Sequence, residues 1–174
     1  HLVLSTLHTN DAPTTLPRLM DMDIPPFLVA FTANIIVAQR LVRRLCEHCK
    51  EEWHLDKKTV AQLEKLLGSM SLPDLLQSQQ VGLKTEEKNL TSMIFYRSVG
   101  CRRCNQSGYK GRVGMYEVMD IDKGLIEKIN QRANAEEIRQ YATAHGMITM
   151  LEDGIIKAKQ GITTIEEVLR AARD

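Results

Sequence analysis

The sequence predicts an α/β fold in three parts, and three observations lead to this prediction. Residues 1–7 form an apolar run that is typical of a strand buried on both faces. Two Cys-x2-Cys pairs enclose a long insertion. Helix-start signals recur near the C-terminus. The predicted domains are an α/β segment at 1–45, a cysteine-clamped subdomain at 46–120 and a helical C-terminal subdomain at 121–174.

The composition indicates a globular protein of nearly neutral charge. The chain has 174 residues, 43% of them hydrophobic, which is enough for one domain or two small ones. A net charge of +1 and an aromatic content of 5% argue against a nucleic-acid-binding surface. All four cysteines lie in the two pairs, as expected in a reducing compartment. No signal peptide opens the chain, and a start at His1 inside an apolar run indicates a piece of a longer protein.

The first predicted strand, residues 1–7, is followed at once by a polar segment and a helix. Asp11 is a suitable N-cap, and the helix should extend to about Asp21. Ligands of open α/β sheets bind at the carboxyl ends of the strands. His8 and the two polar residues after it are therefore candidate site residues. The alternative is a capped loop that carries a surface histidine.

A second helix is predicted from the Pro-Pro pair at 25–26 through Leu45, because apolar residues recur there at a period close to 3.6. In such a helix Arg40, Arg43 and Arg44 share one face near the C-terminal end. The arginines could hold a phosphate or the carboxylates of a neighbouring subunit. The simpler alternative is that they compensate the helix dipole and the charge of the nearby cysteines.

The four cysteines predict a structural metal site. Each pair, Cys46 with Cys49 and Cys101 with Cys104, can direct two sulfurs at one ion, and two such pairs form the usual four-thiolate zinc site. His48 could replace one sulfur, although a position on the solvent side is simpler. A closed four-sulfur site leaves no position for water or substrate, so zinc would hold shape only. The alternatives are a redox pair or two chance pairs of buried thiols.

The insertion between the pairs is expected to be mostly helical. Asp56–Leu67 and Leu72–Gln80 are predicted helices, residues 82–89 a polar loop, and Ser92–Val99 a strand that leads into the second pair. Trp53 is interpreted as a core or lid residue. The insertion contains no recognisable catalytic residues.

The chain after the second pair begins with a glycine-rich turn and a strand, Val113–Asp120. Arg112, at the start of this strand, either reaches across an interface or is one more surface arginine. Three helix starts are then predicted, at Asn134, Thr149 and Thr163, because each has a glutamate three residues later. The apolar residues of these helices are expected to share one core.

Four stretches, taken together, resemble the secretion ATPases that assemble type IV pili and drive type II secretion. They are HLVLSTLHTNDA at 1–12, AQRLVRRLCEHCK at 38–50, CRRCNQSGYKGRVGMYEVM at 101–119 and GITTIEEVLRAARD at 161–174. The stretches occur in the family's order and cover most of the chain outside the insertion.

The resemblance implies a hexameric cytoplasmic motor with a RecA-like P-loop core. Such motors use ATP and Mg²⁺ and work at the inner face of the cytoplasmic membrane against an integral platform protein. His8 matches the family's histidine box and would act near the γ-phosphate as the catalytic residue. Arg112, and with it Arg40, would contribute to nucleotide binding or subunit contact. The four cysteines match the family's zinc-binding subdomain.

One departure from the family pattern changes the expectation for this chain on its own. The P-loop motif G-x-x-x-x-G-K-[ST] is absent, and so are the acidic segments expected before the histidine box. The chain alone should therefore not hydrolyse ATP. The competing hypothesis is a stand-alone, zinc-stabilised protein-interaction module, and a zinc-ribbon nucleic-acid binder is disfavoured by the charge.

Overall fold

The computed structural model describes residues 1–68, 76 and 89–172, and these form a mixed α/β fold. The elements are α1 Ala12–Asp21, α2 Pro26–Thr32, β1 Ile35–Leu45, β2 Lys50–His54, α3 Lys57–Leu67, β3 Ile94–Ser98, β4 Tyr109–Asp120, α4 Lys123–Asn130, α5 Ala135–Ala144, α6 Met150–Lys159 and α7 Ile165–Ala171. Two compact units are present: the first unit contains residues 1–40 and 116–150, and the second unit contains 41–115 and 151–174. Among the described residues, no helix is both long and apolar enough to cross a lipid bilayer.

Strands β1 and β4 pair along their length and run in opposite directions. The Ile121 amide donates to the Asn34 carbonyl at one end, and the Cys46 amide donates to the Gly108 carbonyl at the other, each over 3.0 Å. Gly111 on β4 has a φ of +82°, a left-handed backbone conformation that glycine adopts without strain.

The helix predicted from residue 25 to Leu45 is wrong beyond Thr32. Helix α2 ends at Thr32, and β1 follows after two residues. Along the first half of β1, half-buried and exposed side chains alternate, which is the period of a strand. Its β-branched start, Ile35 to Val37, also favours extended backbone. The three arginines of this stretch therefore do not share a helix face.

Residues 1–7 do not form the predicted buried strand. No described strand pairs with them, and the side chains of Leu2 and Leu4 are each 88% exposed. A strand can be buried on both faces only where neighbouring strands and helices cover it, and the described residues supply none for this segment. Helix α1 is confirmed: the Asp11 carboxylate accepts from the Thr14 amide at 2.8 Å as an N-cap.

The core of the first unit lies between four helices and the end of β4. Helices α1 and α2 pack with α4 and α5, and each contributes one apolar face. The fully or nearly buried members of this core are Ala12, Leu16, Val29, Ala30, Met119, Leu125, Ile129, Ala133, Ile138, Ala142 and Met147.

The second unit contains the insertion. Strands β2 and β3 pair antiparallel, with Lys50 opposite Ser98 and His54 opposite Ile94. Strand β3 and helix α3 confirm two predicted elements, whereas β2 was missed because its side chains are mainly polar and exposed. The predicted helix at 72–80, apart from Leu76, and the predicted loop at 82–89, apart from Asn89, lie outside the described residues.

Trp53 does not belong to the core of the second unit. Its indole is exposed on β2, and the guanidinium of Arg97 on β3 lies over the ring at 4.3 Å. The arginine also donates to Glu51 at 3.1 Å. The cross-strand neighbours therefore form a surface cluster on the β2–β3 pair. The core interpretation of Trp53 is wrong, and the lid interpretation stays a prediction.

The C-terminal helices divide between the two units instead of sharing one core. Helices α4 and α5 belong to the first unit, whereas α6 from Leu151 onward and α7 belong to the second. The reciprocal cap of Asn134 and Glu137 is confirmed, with both bonds at 3.0 Å. The cap of α7 is one residue later than predicted, because Thr164 accepts from the Glu167 amide and Thr163 donates to a carbonyl of β1.

A buried carboxylate links α7 to β1 in the second unit. Glu167 is 2% exposed, and it accepts from the amide and guanidinium of Arg43 at 3.0 and 2.7 Å and from Arg170 at 2.9 Å. Burial alone would raise the pKa of Glu167, but the bonds from the two arginines lower it to about 2. The charged form of Glu167 is therefore the one that the fold stabilises.

We expect this network to make the second unit acid-sensitive. The pKa of Glu167 falls from an ordinary value of 4.5 to about 2 on folding, so its contribution is complete above pH 4.5 and is lost as the pH falls toward 2. A shift of this size corresponds to about 3 kcal/mol. Urea unfolding of wild type and Glu167→Gln should differ by this order at pH 6 and converge near pH 2.

The control for this measurement is Glu166→Gln, since Glu166 is the exposed neighbour of Glu167 on the same helix turn. This variant should follow the wild-type stability at every pH. A constant difference between wild type and Glu167→Gln from pH 6 to pH 2 would contradict the proposed ionisation.

Candidate metal centre

The first cysteine pair lies in a tight turn between β1 and β2. Cys46 directly follows β1, and its carbonyl accepts from the amides of Cys49 at 3.2 Å and Lys50 at 3.1 Å. The second pair brackets a single 3₁₀ turn, residues 102–104, in which the Cys104 amide donates to the Cys101 carbonyl at 3.2 Å. Each turn directs its two sulfurs to the same side.

The strand pairs bring the two turns together. The Cys46 amide donates to Gly108, just after the second pair, and the Val99 amide donates to the Cys49 carbonyl at 3.4 Å. At Gly108 a Cβ atom would lie 2.4 Å from the Cβ of Ser98, so only glycine allows this approach. The two ends of the insertion are thus held by backbone hydrogen bonds as well as by the cysteines.

The four Sγ atoms have the spacing of a tetrahedral thiolate site. The distances are 3.9 Å for Cys46–Cys101, 3.8 Å for Cys49–Cys104 and 3.7 Å for Cys101–Cys104, and all four atoms lie within 4.8 Å of one another. Four sulfurs around zinc at about 2.3 Å would be about 3.8 Å apart. All four thiols are free. This donor set fits one zinc ion with no position left for substrate.

Backbone amides supply part of the electrostatic support for thiolates. The amides of Cys101 and Gly108 donate to Cys104 Sγ at 3.2 and 3.3 Å. Burial opposes ionisation, but these donors and the neighbouring thiols lower the pKa of Cys104 to about 6. Burial and the neighbouring sulfurs raise the pKa of Cys49 to about 12. Thiols this close cannot all ionise unless a cation is shared among them.

The charged residues around the cysteines bind one another. His48 is exposed and lies 2.9 Å from the guanidinium of Arg103, away from the group of metal-ligating atoms. Arg44 and Lys50 both bind Glu47, at 3.1 and 2.9 Å, and these bonds lower the pKa of Glu47. The candidate ligands are therefore sulfurs only, and the prediction that His48 lies on the solvent side is confirmed.

The other predicted site residues lie in different parts of the chain. His8 is exposed in the first unit, three positions before the N-cap residue Asp11, and Arg40 is half-buried on β1 in the same unit. Arg112 is exposed on β4 in the second unit, next to Gly111. The roles of these three residues stay predictions.

Glu117 on β4 is among the buried carboxylates that sequence reasoning missed. Glu117 is 2% exposed, and its Oε1 accepts from the Ala12 amide at 2.8 Å. The signal was available, because Glu117 alternates with Met115 and Met119 on the buried side of the strand. A charged residue on such a face requires a partner in the interior.

We expect metal to be required for the stability of the second unit. Cys46→Ser or Cys101→Ser removes one of four ligands, so bound zinc, measured by elemental analysis, should fall well below one equivalent. The midpoint of thermal unfolding should fall as well, since zinc binding contributes directly to folding. Cobalt added to the metal-free wild type should give the visible spectrum of tetrahedral four-thiolate coordination.

His48→Ala is the matched control, because it changes the same turn without removing a sulfur. It should retain a full equivalent of zinc and the cobalt spectrum. Unchanged stability of the wild type after chelation would contradict a structural metal.

The chain matches known proteins over almost its whole length. The family model described as "Type II/IV secretion system protein" matches residues 1–170. The chain is 44% identical to the type IV pilus assembly ATPase PilB of Myxococcus xanthus over 170 residues, which cover 97% of this chain and 26% of that protein. It is 37% identical to the type II secretion system ATPase E of Vibrio cholerae, covering 100% of this chain and 30% of that protein.

A third relative extends the range of organisms. The PilB pilus assembly ATPase of Thermus thermophilus is 40% identical over 169 residues, which cover 97% of this chain and 17% of that protein. The chain thus spans roughly a quarter of the length of these relatives. With residues 1–170 matched and identities above a third, this chain belongs to the type II/IV secretion system protein family.

Proposed function

We propose that this chain is the C-terminal portion of a hexameric cytoplasmic ATPase that powers type IV pilus assembly or type II protein secretion. The single observation that carries the proposal is the family match across residues 1–170, with relatives named for both processes. The close approach of the four cysteines, which the resemblance assigns to a zinc-binding subdomain, is consistent with it.

Residues 1–45 are proposed to be the last part of a RecA-like core. The exposed apolar side chains of residues 2–4 support this, because exposed large apolar side chains of this kind mark contact surfaces. Residues 46–120 would form the zinc subdomain and residues 121–174 a helical cap. The P-loop would come from another part of the longer protein, so this chain alone would not hydrolyse ATP.

His8 is the proposed catalytic residue. It is exposed, and the capped start of α1 follows it in the chain. An imidazole can donate to a γ-phosphate or exchange a proton near neutral pH. Arg112 and Arg40 are proposed to contact the nucleotide or a neighbouring subunit, as guanidinium groups commonly do with phosphates. In the bound state Mg²⁺ would neutralise phosphate charge.

The metal would have no part in the chemistry of hydrolysis. Four sulfurs fill a tetrahedral site, so the zinc held by Cys46, Cys49, Cys101 and Cys104 has no open position. Its proposed role is to fix the ends of the insertion. The motor is proposed to work at the inner face of the cytoplasmic membrane, through a platform protein and without nucleic acid.

The second candidate function is a stand-alone, zinc-stabilised protein-interaction module. The closed cysteine cluster and the absence of a P-loop motif from the sequence favour it. The two proposals differ in whether the longer natural protein hydrolyses ATP.

The decisive experiment compares steady-state ATP hydrolysis by the full-length protein, its His8→Ala variant and the 174-residue chain. We expect activity in the wild type, a loss of about 100-fold or more in His8→Ala, in the range of a lost general acid–base group, and none in the isolated chain. Zinc content and oligomeric state, measured by elemental analysis and light scattering, should be equal in wild type and variant.

His54→Ala is the matched control, since His54 is an exposed histidine on β2 in the other unit. It should retain wild-type turnover. An inactive full-length wild type would favour the interaction module. Full activity in His8→Ala would exclude His8 from the chemistry, and turnover by the isolated chain would contradict the need for the P-loop.

A further inference from the structure

Glu117 lies at the junction that leads from His8 into helix α1. Its side chain is 2% exposed, and both carboxylate oxygens are used: Oε1 accepts from the Ala12 amide at 2.8 Å and Oε2 from the Met150 amide at 3.3 Å. Ala12 and Met150 are the first residues of α1 and α6. One buried carboxylate thus satisfies an amide at the start of each of two helices.

These contacts explain how an acidic residue can be buried here. The first amides of a helix have no acceptor within the helix, and they lie at the positive end of its dipole. A carboxylate that faces two helix starts is therefore stabilised by amides. The arrangement is specific, because each of the two amides uses a different oxygen of the same carboxylate.

The segment between His8 and Ala12 is fixed by further side-chain bonds. The Thr9 hydroxyl contacts the Thr15 hydroxyl at 2.9 Å. Asp11 accepts from the Arg139 guanidinium at 2.8 Å, and hydrogen bonds from Thr14 and Arg139 outweigh burial and lower the pKa of Asp11. His8 itself is exposed. The position of its backbone thus depends on anchors that follow it, and Glu117 is the most deeply buried of them.

We propose that Glu117 is a positioning residue for His8, acting through its bond to the Ala12 amide, with the Asp11–Arg139 pair as a second anchor. This inference rests on the proposed function of His8. Glu117 is buried, so the proposed role is exerted through the backbone and not by direct contact with the nucleotide. Glu117 fixes the position of Ala12, where α1 begins. It thereby limits the positions that the side chain of His8, four residues earlier, can occupy.

A double-mutant cycle on ATP hydrolysis by the full-length protein tests the proposal. Glu117→Gln keeps the size of the side chain, but its amide nitrogen cannot accept, so one of the two helix-start amides loses its acceptor. We expect kcat to fall about 10- to 100-fold, the cost of a small displacement of a catalytic group, with KM for ATP unchanged. In a His8→Ala background, Glu117→Gln should cause no further loss, because its effect passes through His8.

Glu167→Gln is the matched control, since Glu167 is also a 2%-exposed glutamate but lies in the second unit. It should lower thermal stability and leave kcat at the wild-type value. If Glu117→Gln behaves in the same way, Glu117 serves stability alone and the proposal is overturned. Additive losses in the cycle overturn it as well.

A second variant and the activity of His8→Ala distinguish failure of the positioning role from failure of the proposed function. If Glu117→Gln fails to assemble, the same cycle is measured with Arg139→Ala. Arg139 is partly exposed, and its loss removes the second anchor together with an exposed contact to Glu136. Additivity there overturns the anchoring of His8. Full activity in His8→Ala overturns the proposed function itself, whereas a loss in His8→Ala with additive behaviour overturns only the positioning role of Glu117.

Discussion

The pairing of β1 with β4 is the constraint on which the metal centre and the buried carboxylates depend. The bond from Cys46 to Gly108 brings the end of β1 to the start of β4, where the second cysteine pair has just ended. The same ladder continues to Asn34 and Ile121, and β4 carries Glu117 in between. Backbone hydrogen bonds therefore hold the two cysteine turns next to each other, in addition to any ion that the sulfurs bind.

Glu117 and Glu167, two of the buried glutamates, show two ways of providing partners for a carboxylate in an interior. Glu167 uses two arginines whose side chains reach solvent, so its stabilisation is an ion pair supported by hydrogen bonds. Glu117 uses the amides of two helix starts. An arginine can move with its partner, whereas an amide at a helix start is fixed by the helix. The second arrangement therefore defines backbone positions more strictly, which suits a residue that holds a junction.

The parts that sequence predicted correctly are those governed by local rules. The caps at Asp11 and Asn134 predicted helix starts, because a cap involves residues within one turn. The sulfur cluster joins residues far apart in the chain, but each Cys-x2-Cys pair is a local signal and two such pairs need a shared ion. The failures involve residues far apart in the chain. The apolar residues of Ile35–Leu45 fit the period of a helix as well as that of a strand. The segment forms a strand because it pairs with β4, which lies more than sixty residues later in the chain. Residues 1–7 have the pattern of a buried strand but no described neighbour to bury them.

Glu117 was missed for a related reason. A strand is predicted from its apolar residues. A single acidic residue, Glu117, between Met115 and Met119 is therefore not expected to be buried with them. Its partners, Ala12 and Met150, are 105 residues before it and 33 after it, so no local pattern connects them.

The cysteines and the candidate histidine belong to different units, with all four cysteines in the second and His8 in the first. Because four sulfurs leave a metal no open position, the chemistry that we propose for this chain rests on His8 and not on the metal. The arrangement of that histidine depends on the buried contacts of the first unit.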